Sequence, residues 1–146
     1  IPGSIPAEAS LRAGQYYAHP RNAFWPIMGE VCGAGPGLAY PRRLARLQAA
    51  GIALWDVLQS CTRSGSLDSA IRDEAANDFP ALFAAYPGIG RVFFNGAKAE
   101  AAFRRHVVPA LCADRLALLR LPSTSPAHAS LGPEAKCRAW RVIGAV

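Results

Sequence analysis

The chain has little lysine and lacks the motifs of several common enzyme classes. Of its 16 basic residues only Lys98 and Lys136 are lysines, so a mechanism that passes through a lysine Schiff base has two candidates. There is no P-loop, no GxSxG and no HExxH, and the run Gly33–Gly37 is not spaced to cradle a phosphate before a helix. These absences argue against P-loop nucleotide hydrolysis, serine-hydrolase chemistry of that type and zinc proteolysis.

Long apolar runs and paired cysteines are missing as well. No apolar run approaches the roughly 20 residues that a membrane-spanning helix needs, so we expect a soluble protein. The cysteines have no CxxC spacing, which is a poor pattern for zinc or an iron–sulfur cluster, and they stand at Cys32, Cys61, Cys112 and Cys137. We therefore expect reduced, mostly buried thiols, no metal site and a cytoplasmic protein. Because the chain begins with Ile1 and not Met, we expect its natural N-terminus to lie upstream.

Length and charge set the next limits. A chain of 146 residues can bury a substantial core, and we interpret 1–146 as a single domain, expected to be monomeric. The formal net charge is +6 and the pI is about 9.6. A basic balance of this size favours a polyanionic partner such as double-stranded or single-stranded DNA.

Predicted strands alternate with predicted helices along the chain. Helices are expected at Asn22–Cys32, Pro41–Ala50, Ser69–Ala76, a segment capped by Asp78, Ala97–Val108 and Pro133–Ile143. Strands are expected at Ile1–Ile5, Ile52–Leu58, Arg91–Phe94 and Arg115–Leu121. This alternation predicts an α/β fold, a three-layer α/β/α sandwich around a short, mainly parallel four-stranded sheet.

The loops that follow the predicted strands hold most of the chemically interesting side chains. They are Pro6–Arg21, Gln59–Ser66, Asn95–Ala97 and Pro122–Gly132. In parallel sheets, ligands bind beyond the carboxyl ends of the strands. We therefore expect these four loops to gather at one edge of the sheet and to form a single site.

The stretch Gln15–Trp25, with the sequence QYYAHPRNAFW, fits no simple core pattern. Its polar residues do not alternate with apolar ones as in a strand, and no helical stripe precedes Pro20. Pro20 also biases His19 away from helical dihedrals. Flat rings on an irregular loop suit a flat polar ligand such as a nucleobase, since stacking contributes about 1–3 kcal/mol per base. Phe24 and Trp25 open an apolar run, and their simplest interpretation is core.

Three other loops offer groups that suit DNA. Asn95 stands between a strand and a helix and can read a base edge with its amide, while Lys98 in the first helical turn can approach a phosphate. A loop flanked by prolines carries the hydroxyls of Ser123, Thr124 and Ser125, which can hold backbone phosphates. The basic side chains of His128 and Arg63 can do the same. A plain turn asparagine, an exposed lysine, a rigid turn and a solvated histidine are the simpler interpretations.

These motifs together resemble the uracil-DNA glycosylase superfamily, and most closely its hypoxanthine (deoxyinosine) DNA glycosylase branch. The resemblance rests on GSIPAEASL, QYYAHPRNAFWPIMG, LWDVLQSCTRSGSLDSAI, VFFNGAKA and LPSTSPAHA, which begin at Gly3, Gln15, Leu54, Val92 and Leu121. Each segment alone is weak, but together and in this order they cover nearly the whole chain.

The resemblance implies an enzyme that flips a deaminated base out of DNA and hydrolyses its N-glycosidic bond, with no cofactor. By that likeness Tyr17 or Tyr16 stacks on the flipped base. Asn22 is the catalytic residue and assists the leaving group or the attacking water. Asn95 binds the base edge, Phe24 belongs to the same base-binding group, and the serines at 123 and 125 hold phosphates.

The departures from the family pattern shift this assignment. Mismatch-type uracil glycosylases carry a catalytic asparagine in a GxNPG motif, where this chain has Ile5, so Ile5 is expected only among the base-binding residues. The catalytic role therefore moves to Asn22. Leu121 replaces the histidine of an HPSP motif, and Ala127 offers almost no wedge. Two alternatives stay open: a glycosylase that prefers uracil, and a DNA-binding module without catalysis on the same scaffold.

Overall fold

The computed structural model describes residues 1–62 and 72–144. Its helices are α1 (Glu8–Ala13), α2 (Phe24–Cys32), α3 (Tyr40–Ala49), α4 (Phe79–Ala85), α5 (Ala97–His106) and α6 (Pro133–Trp140). Its strands are β1 (Pro2–Gly3), β2 (Trp55–Asp56), β3 (Leu58–Thr62), β4 (Arg72–Ala76), β5 (Arg91–Asn95) and β6 (Ala117–Leu121). Short 3-10 helices cover Val108–Ala110, Ala113–Arg115 and Arg141–Ile143. This mixture confirms the predicted α/β class.

The chain divides into two compact units, and each unit is built from two segments of the sequence. Unit 1 comprises Ile1–Ile5 and Leu54–Leu121, and unit 2 comprises Pro6–Ala53 and Pro122–Val146. The strands β1 to β6 belong to unit 1 together with α4 and α5, whereas α1, α2, α3 and α6 belong to unit 2. The interpretation of 1–146 as a single domain stays a prediction.

The strands of unit 1 form hydrogen-bonded pairs instead of the single four-stranded sheet that we predicted. Within the described residues, β1 pairs with β2 in parallel, β5 pairs with β6 in parallel, and β3 pairs with β4 antiparallel. β1 also lies alongside β5. The two parallel pairs are therefore neighbours, but β1 and β2 are only two residues long each, which leaves little backbone for a continuous ladder.

The segment from Gln59 to Ala76 corrects two predictions. We expected a polar loop over Gln59–Ser66 and a helix over Ser69–Ala76. The structure instead has the strands β3 and β4, with Leu58 opposite Ala76 and Thr62 opposite Arg72. Helix propensity of the alanines and acids misled the prediction, because cross-strand pairing overrides it. Residues 63–71, with the predicted phosphate contact Arg63, lie outside the described residues.

The core of unit 1 is largely aromatic. α5 packs on β4, β5 and β6, and its fully buried Phe103 meets the rings of Phe94 and Phe79 with centroids 5.0 and 5.1 Å apart. The predicted cap of α4 is confirmed, since Asp78 Oδ1 accepts a hydrogen bond from the backbone N–H of Ala81 at 3.1 Å. β5, α5 and β6 also occur where the sequence predicted them, within a few residues.

In unit 2, α2 is the central element and packs against α3 and α6. Its apolar residues recur at helical spacing, and Phe24, Ile27 and Met28 are buried. Gly29 allows a close approach within this helix, because a Cβ placed there would lie 2.9 Å from the Cα of Gly35. The glycine-rich run that follows α2 therefore folds back against it.

Candidate active site

The aromatic stretch lies in unit 2 between α1 and α2. Its most unusual residue is Tyr17, whose φ of 54° places a non-glycine residue in the left-handed region. This conformation costs a tyrosine roughly 1–2 kcal/mol. The Tyr17 ring stacks on Phe24 with centroids 4.1 Å apart and planes 29° from parallel. Tyr17 is only partly buried, whereas the Phe24 ring that it stacks on is fully buried.

Side chains from three helices hold the backbone around Tyr17, from the Tyr16 N–H to the Ala18 N–H. The Tyr16 N–H donates to the Tyr40 hydroxyl at 3.1 Å, and the Trp25 indole N–H donates to the Tyr16 carbonyl at 2.9 Å. The Ala18 N–H donates to Ser10 Oγ at 3.1 Å. The irregular backbone that the sequence predicted here is thus fixed by tertiary hydrogen bonds.

Asn22 occupies the turn that leads into α2. Its side-chain Oδ1 accepts a hydrogen bond from the Phe24 N–H at 3.0 Å, and its own N–H donates to the His19 carbonyl at 2.9 Å. Only an oxygen can accept from Phe24, so the orientation of the amide is set and Nδ2 is the remaining polar atom. Asn22 is partly exposed, and its Nδ2 makes no hydrogen bond to the described residues.

The loop Pro122–His128, which we call the serine loop, lies in the same unit as Asn22. The backbone N–H of Ala23, next to Asn22, donates to the Thr124 carbonyl at 3.0 Å. The Trp140 indole N–H donates to the Pro122 carbonyl at 2.9 Å. The structure therefore brings the predicted catalytic residue and the predicted phosphate-binding loop together. The Ser123 and Ser125 hydroxyls accept from the backbone N–H groups of residues 125 and 127, each at 3.2 Å.

Lys136 holds the serine loop from inside the protein. Its side chain is 5% exposed, and its Nζ donates to the carbonyls of His128 at 2.7 Å and Ser125 at 3.4 Å. Burial lowers the pKa of this ammonium group below its ordinary value. Lys136 lies next to Cys137 and four residues before Trp140, on the buried face of α6.

Replacing Lys136 with methionine should destabilise the protein by about 1–3 kcal/mol, because two loop carbonyls lose their donor while the length of the side chain is kept. Urea unfolding measures this loss, and Arg138→Met is the matched control, since Arg138 is exposed on the same helix. Equal stability of Lys136→Met and wild type would show that the ammonium does not hold the loop.

The pH dependence of the same difference has a defined sign. Burial in the folded state lowers the pKa of Lys136 below its ordinary value of 10.5. The unfolded chain therefore binds this proton more tightly than the folded protein does. The contribution of Lys136 to stability therefore rises as the pH increases through the window between the lowered pKa and 10.5. Wild type should gain stability relative to Lys136→Met over this window, and a constant difference would contradict the assignment.

Three predicted site residues in the described part of the chain belong to unit 1. Asn95 ends β5 and is partly buried, and the following Gly96, with φ 96°, leads into α5. Lys98 lies in the first turn of α5 and is also partly buried. Ile5 packs against the apolar core of unit 1. The base-edge role of Asn95, the phosphate role of Lys98 and the base contact of Ile5 stay predictions.

Two other predicted contacts have a different place in the structure. Phe24 is fully buried beneath Tyr17, so it supports the stacking ring and does not offer its own surface. The Thr124 side chain is 1% exposed and lies inside unit 2. His128 is exposed, as a phosphate contact would require. Its Nε2 lies 3.3 Å from the Ser130 hydroxyl. Sequence reasoning missed Ser10, Tyr40 and Trp140, whose roles depend on contacts between distant segments.

Positive charge is concentrated in unit 2. This unit contains eight lysines and arginines against three glutamates and no aspartate, so it carries five of the six net positive charges. Within the described residues, no group of three or more His, Cys, Asp or Glu side chains is placed to hold a metal ion. The described cysteines Cys32, Cys112 and Cys137 are free thiols, and Cys112 is exposed.

Known proteins resemble this chain in sequence and in fold. It is 42% identical over 100 residues to a protein of Methanosarcina acetivorans named hypoxanthine DNA glycosylase. The matched residues cover 68% of this chain and 63% of that protein. It is 40% identical over 99 residues to a protein of the same name from Methanosarcina barkeri, covering 67% of this chain and 63% of the relative. No protein-family model matches the chain.

The solution NMR structure of a candidate uracil DNA glycosylase from Methanosarcina acetivorans has the same fold. It superposes with a TM-score of 0.78 at 35% identity, over 98% of this chain and 88% of that one. The chain belongs to the uracil-DNA glycosylase superfamily. It spans 63% of the length of the two hypoxanthine DNA glycosylases. No helix within residues 1–62 and 72–144 is long and apolar enough to cross a membrane.

Proposed function

We propose that this chain is a monofunctional DNA glycosylase that removes a deaminated base, with hypoxanthine as the preferred substrate. The names of the two sequence relatives support this activity and this base. The partly exposed residues Tyr17 and Asn22 lie on one irregular loop, which is consistent with binding of a flipped base. The protein of similar fold is named a candidate uracil DNA glycosylase, which supports uracil as the second candidate substrate.

The hydrogen bond from the Phe24 N–H to Asn22 Oδ1 carries the mechanistic part of the proposal. Since the oxygen already accepts from Phe24 and the amide orientation is thereby set, we assign the role to the Nδ2–H donor of Asn22. Cleavage of the N-glycosidic bond leaves an oxocarbenium-like sugar and a base with growing negative charge. A fixed donor beside that base stabilises the charge as it develops. Water then adds to the sugar and its proton neutralises the departed base anion, directly or through solvent, so Asn22 assists the leaving group without serving as a base.

DNA binding in this proposal uses unit 2. The excess positive charge there favours the phosphate backbone, and the serine loop, held by Lys136 and Trp140, offers Ser123, Ser125 and His128 to phosphates. Lys136 itself is buried and occupied by two carbonyls, which supports hydrolysis without a lysine Schiff base. Borohydride trapping of a covalent enzyme–DNA adduct would contradict that point.

Base release from one duplex series tests the function. The series carries inosine, uracil or xanthine at the same position, and released base is measured under single-turnover conditions. We expect release mainly from inosine. Release mainly from uracil would change the assigned substrate but keep the reaction. Binding to lesion DNA without release from any of the three duplexes would leave a DNA-binding module and exclude the enzyme.

A further inference from the structure

Side chains from distant segments hold the backbone around Tyr17, the residue of the site with a left-handed φ. The peptide before Tyr17 is fixed at its carbonyl, since the Tyr16 carbonyl accepts from the Trp25 indole N–H. The Tyr16 N–H, which belongs to the preceding peptide, donates to the Tyr40 hydroxyl. The peptide after Tyr17 is fixed by Ser10 Oγ at the Ala18 N–H. Since φ of Tyr17 is set by the two peptides that flank it, the Trp25 and Ser10 contacts hold its left-handed conformation. The Tyr40 contact fixes the next peptide along the chain, at the Tyr16 N–H.

The groups that hold Tyr17 are themselves rigid. Ser10 is a buried polar side chain at 7% exposure, and Trp25 is buried as well. The Tyr40 ring meets the Trp25 ring edge-on with centroids 5.8 Å apart. On the same helix the Arg43 guanidinium lies 5.3 Å from the Trp25 ring centroid and donates to the carbonyls of residues 36 and 38 at 3.1 and 2.8 Å. α3 is thereby anchored to the loop before it and to α2.

We propose that Tyr40 and Ser10 are positioning residues, which set the Tyr17 ring in its base-stacking place before DNA binds. The inference rests on the proposed function and extends it to residues that do not touch the base. A ring that is fixed in advance loses little conformational freedom on binding, so the hydrogen bonds of Tyr40 and Ser10 contribute to affinity for the flipped base. A purely structural role would affect stability and leave lesion recognition unchanged.

The test compares Tyr40→Phe and Ser10→Ala with wild type. Tyr40→Phe removes the hydroxyl that accepts from Tyr16 but keeps the ring against Trp25. Tyr86→Phe is the control, because Tyr86 lies in unit 1 and is 62% exposed. Two quantities are measured: single-turnover base release from an inosine duplex, and affinity for a duplex with 2′-fluoro-deoxyinosine, whose fluorine disfavours the oxocarbenium ion, relative to undamaged duplex.

We expect each variant to lose about 3- to 10-fold in lesion preference and in release at subsaturating enzyme, as one hydrogen bond would account for. The Tyr86 control should match wild type. In a Tyr17→Ala background the effect of Tyr40→Phe should vanish, because the ring that it positions is gone. This non-additivity distinguishes positioning from general destabilisation, which thermal melting records separately.

Two results would overturn the inference while leaving the proposed function intact. One is a wild-type lesion preference and release rate in both variants. The other is an equal loss from Tyr40→Phe with and without the Tyr17 ring. A wild type that binds the fluorinated lesion selectively but releases no base would remove the enzyme claim, and the binding arm would still decide the role of Tyr40. A wild type with no lesion preference would remove the inference together with its premise.

Discussion

Replacement of Asn22 by alanine is expected to reduce base release by about 100-fold or more, because it removes a fixed donor beside the departing base. Single-turnover release from the inosine duplex measures the loss. Gln48→Ala, which removes an exposed amide from α3 in the same unit, should leave the rate unchanged. Asn22 also accepts from Phe24 at the start of α2, so the alanine variant should lose about 0.5–2 kcal/mol of stability and stay folded.

Asn22→Asp separates the two roles that the resemblance left open. Its carboxylate can still accept from the Phe24 N–H, so the start of α2 is preserved. It has no N–H donor and adds negative charge beside a leaving base that becomes negative. Release should therefore be as slow as with alanine. If Asn22 instead oriented water, the carboxylate would be a stronger base, and retained or faster release would refute the leaving-group role.

Phe24→Ala should destabilise the protein by about 3–5 kcal/mol, the usual cost of removing a buried phenylalanine ring. Phe24 is fully buried and its ring contacts Tyr17, Trp25 and Trp140 at centroid distances of 4.1, 5.0 and 5.9 Å. Chemical denaturation gives the free energy of unfolding. Leu11→Ala serves as the control, since Leu11 is exposed in α1 of the same unit and should change stability little.

Phe24→Leu refines this prediction. It retains much of the apolar volume but loses the flat surface that supports Tyr17. Its stability should fall much less than that of Phe24→Ala, while lesion preference should fall in both variants. A Phe24→Leu protein that is stable and recognises lesions as well as wild type would show that Tyr17 does not need an aromatic support.

Local patterns predicted the helices and the parallel strands well where one segment decides its own structure. α2 follows from the spacing of Phe24, Ile27 and Met28, and α4 follows from the cap at Asp78. The sequence did not predict the pair β3 and β4, because each of these strands is stabilised by hydrogen bonds to the other. Neither RDEAA nor LQSCT carries a strand pattern of its own, and the ladder forms only when both are present.

The candidate site shows the same division. Asn22 and the serine loop were found from residue type and likeness, and the structure places them side by side through Ala23 and Thr124. Tyr40 and Ser10 were not found, because a hydroxyl in the sequence does not reveal which distant N–H it will accept from. Lys136 looked like one of two ordinary lysines, and only its burial beneath the serine loop separates it from Lys98.

Unit 2 is built from one segment near the start of the chain and one near its end, and this has a consequence for protein synthesis. Phe24 leaves the ribosome well before Trp140 and Lys136, and nearly all of unit 1 is made in between. Until α6 emerges, the Phe24 face stays uncovered and the serine loop has no anchor. A nascent or prematurely terminated chain would therefore expose apolar surface that chaperones and proteases recognise. Completion of the candidate site is thus coupled to completion of translation through α6.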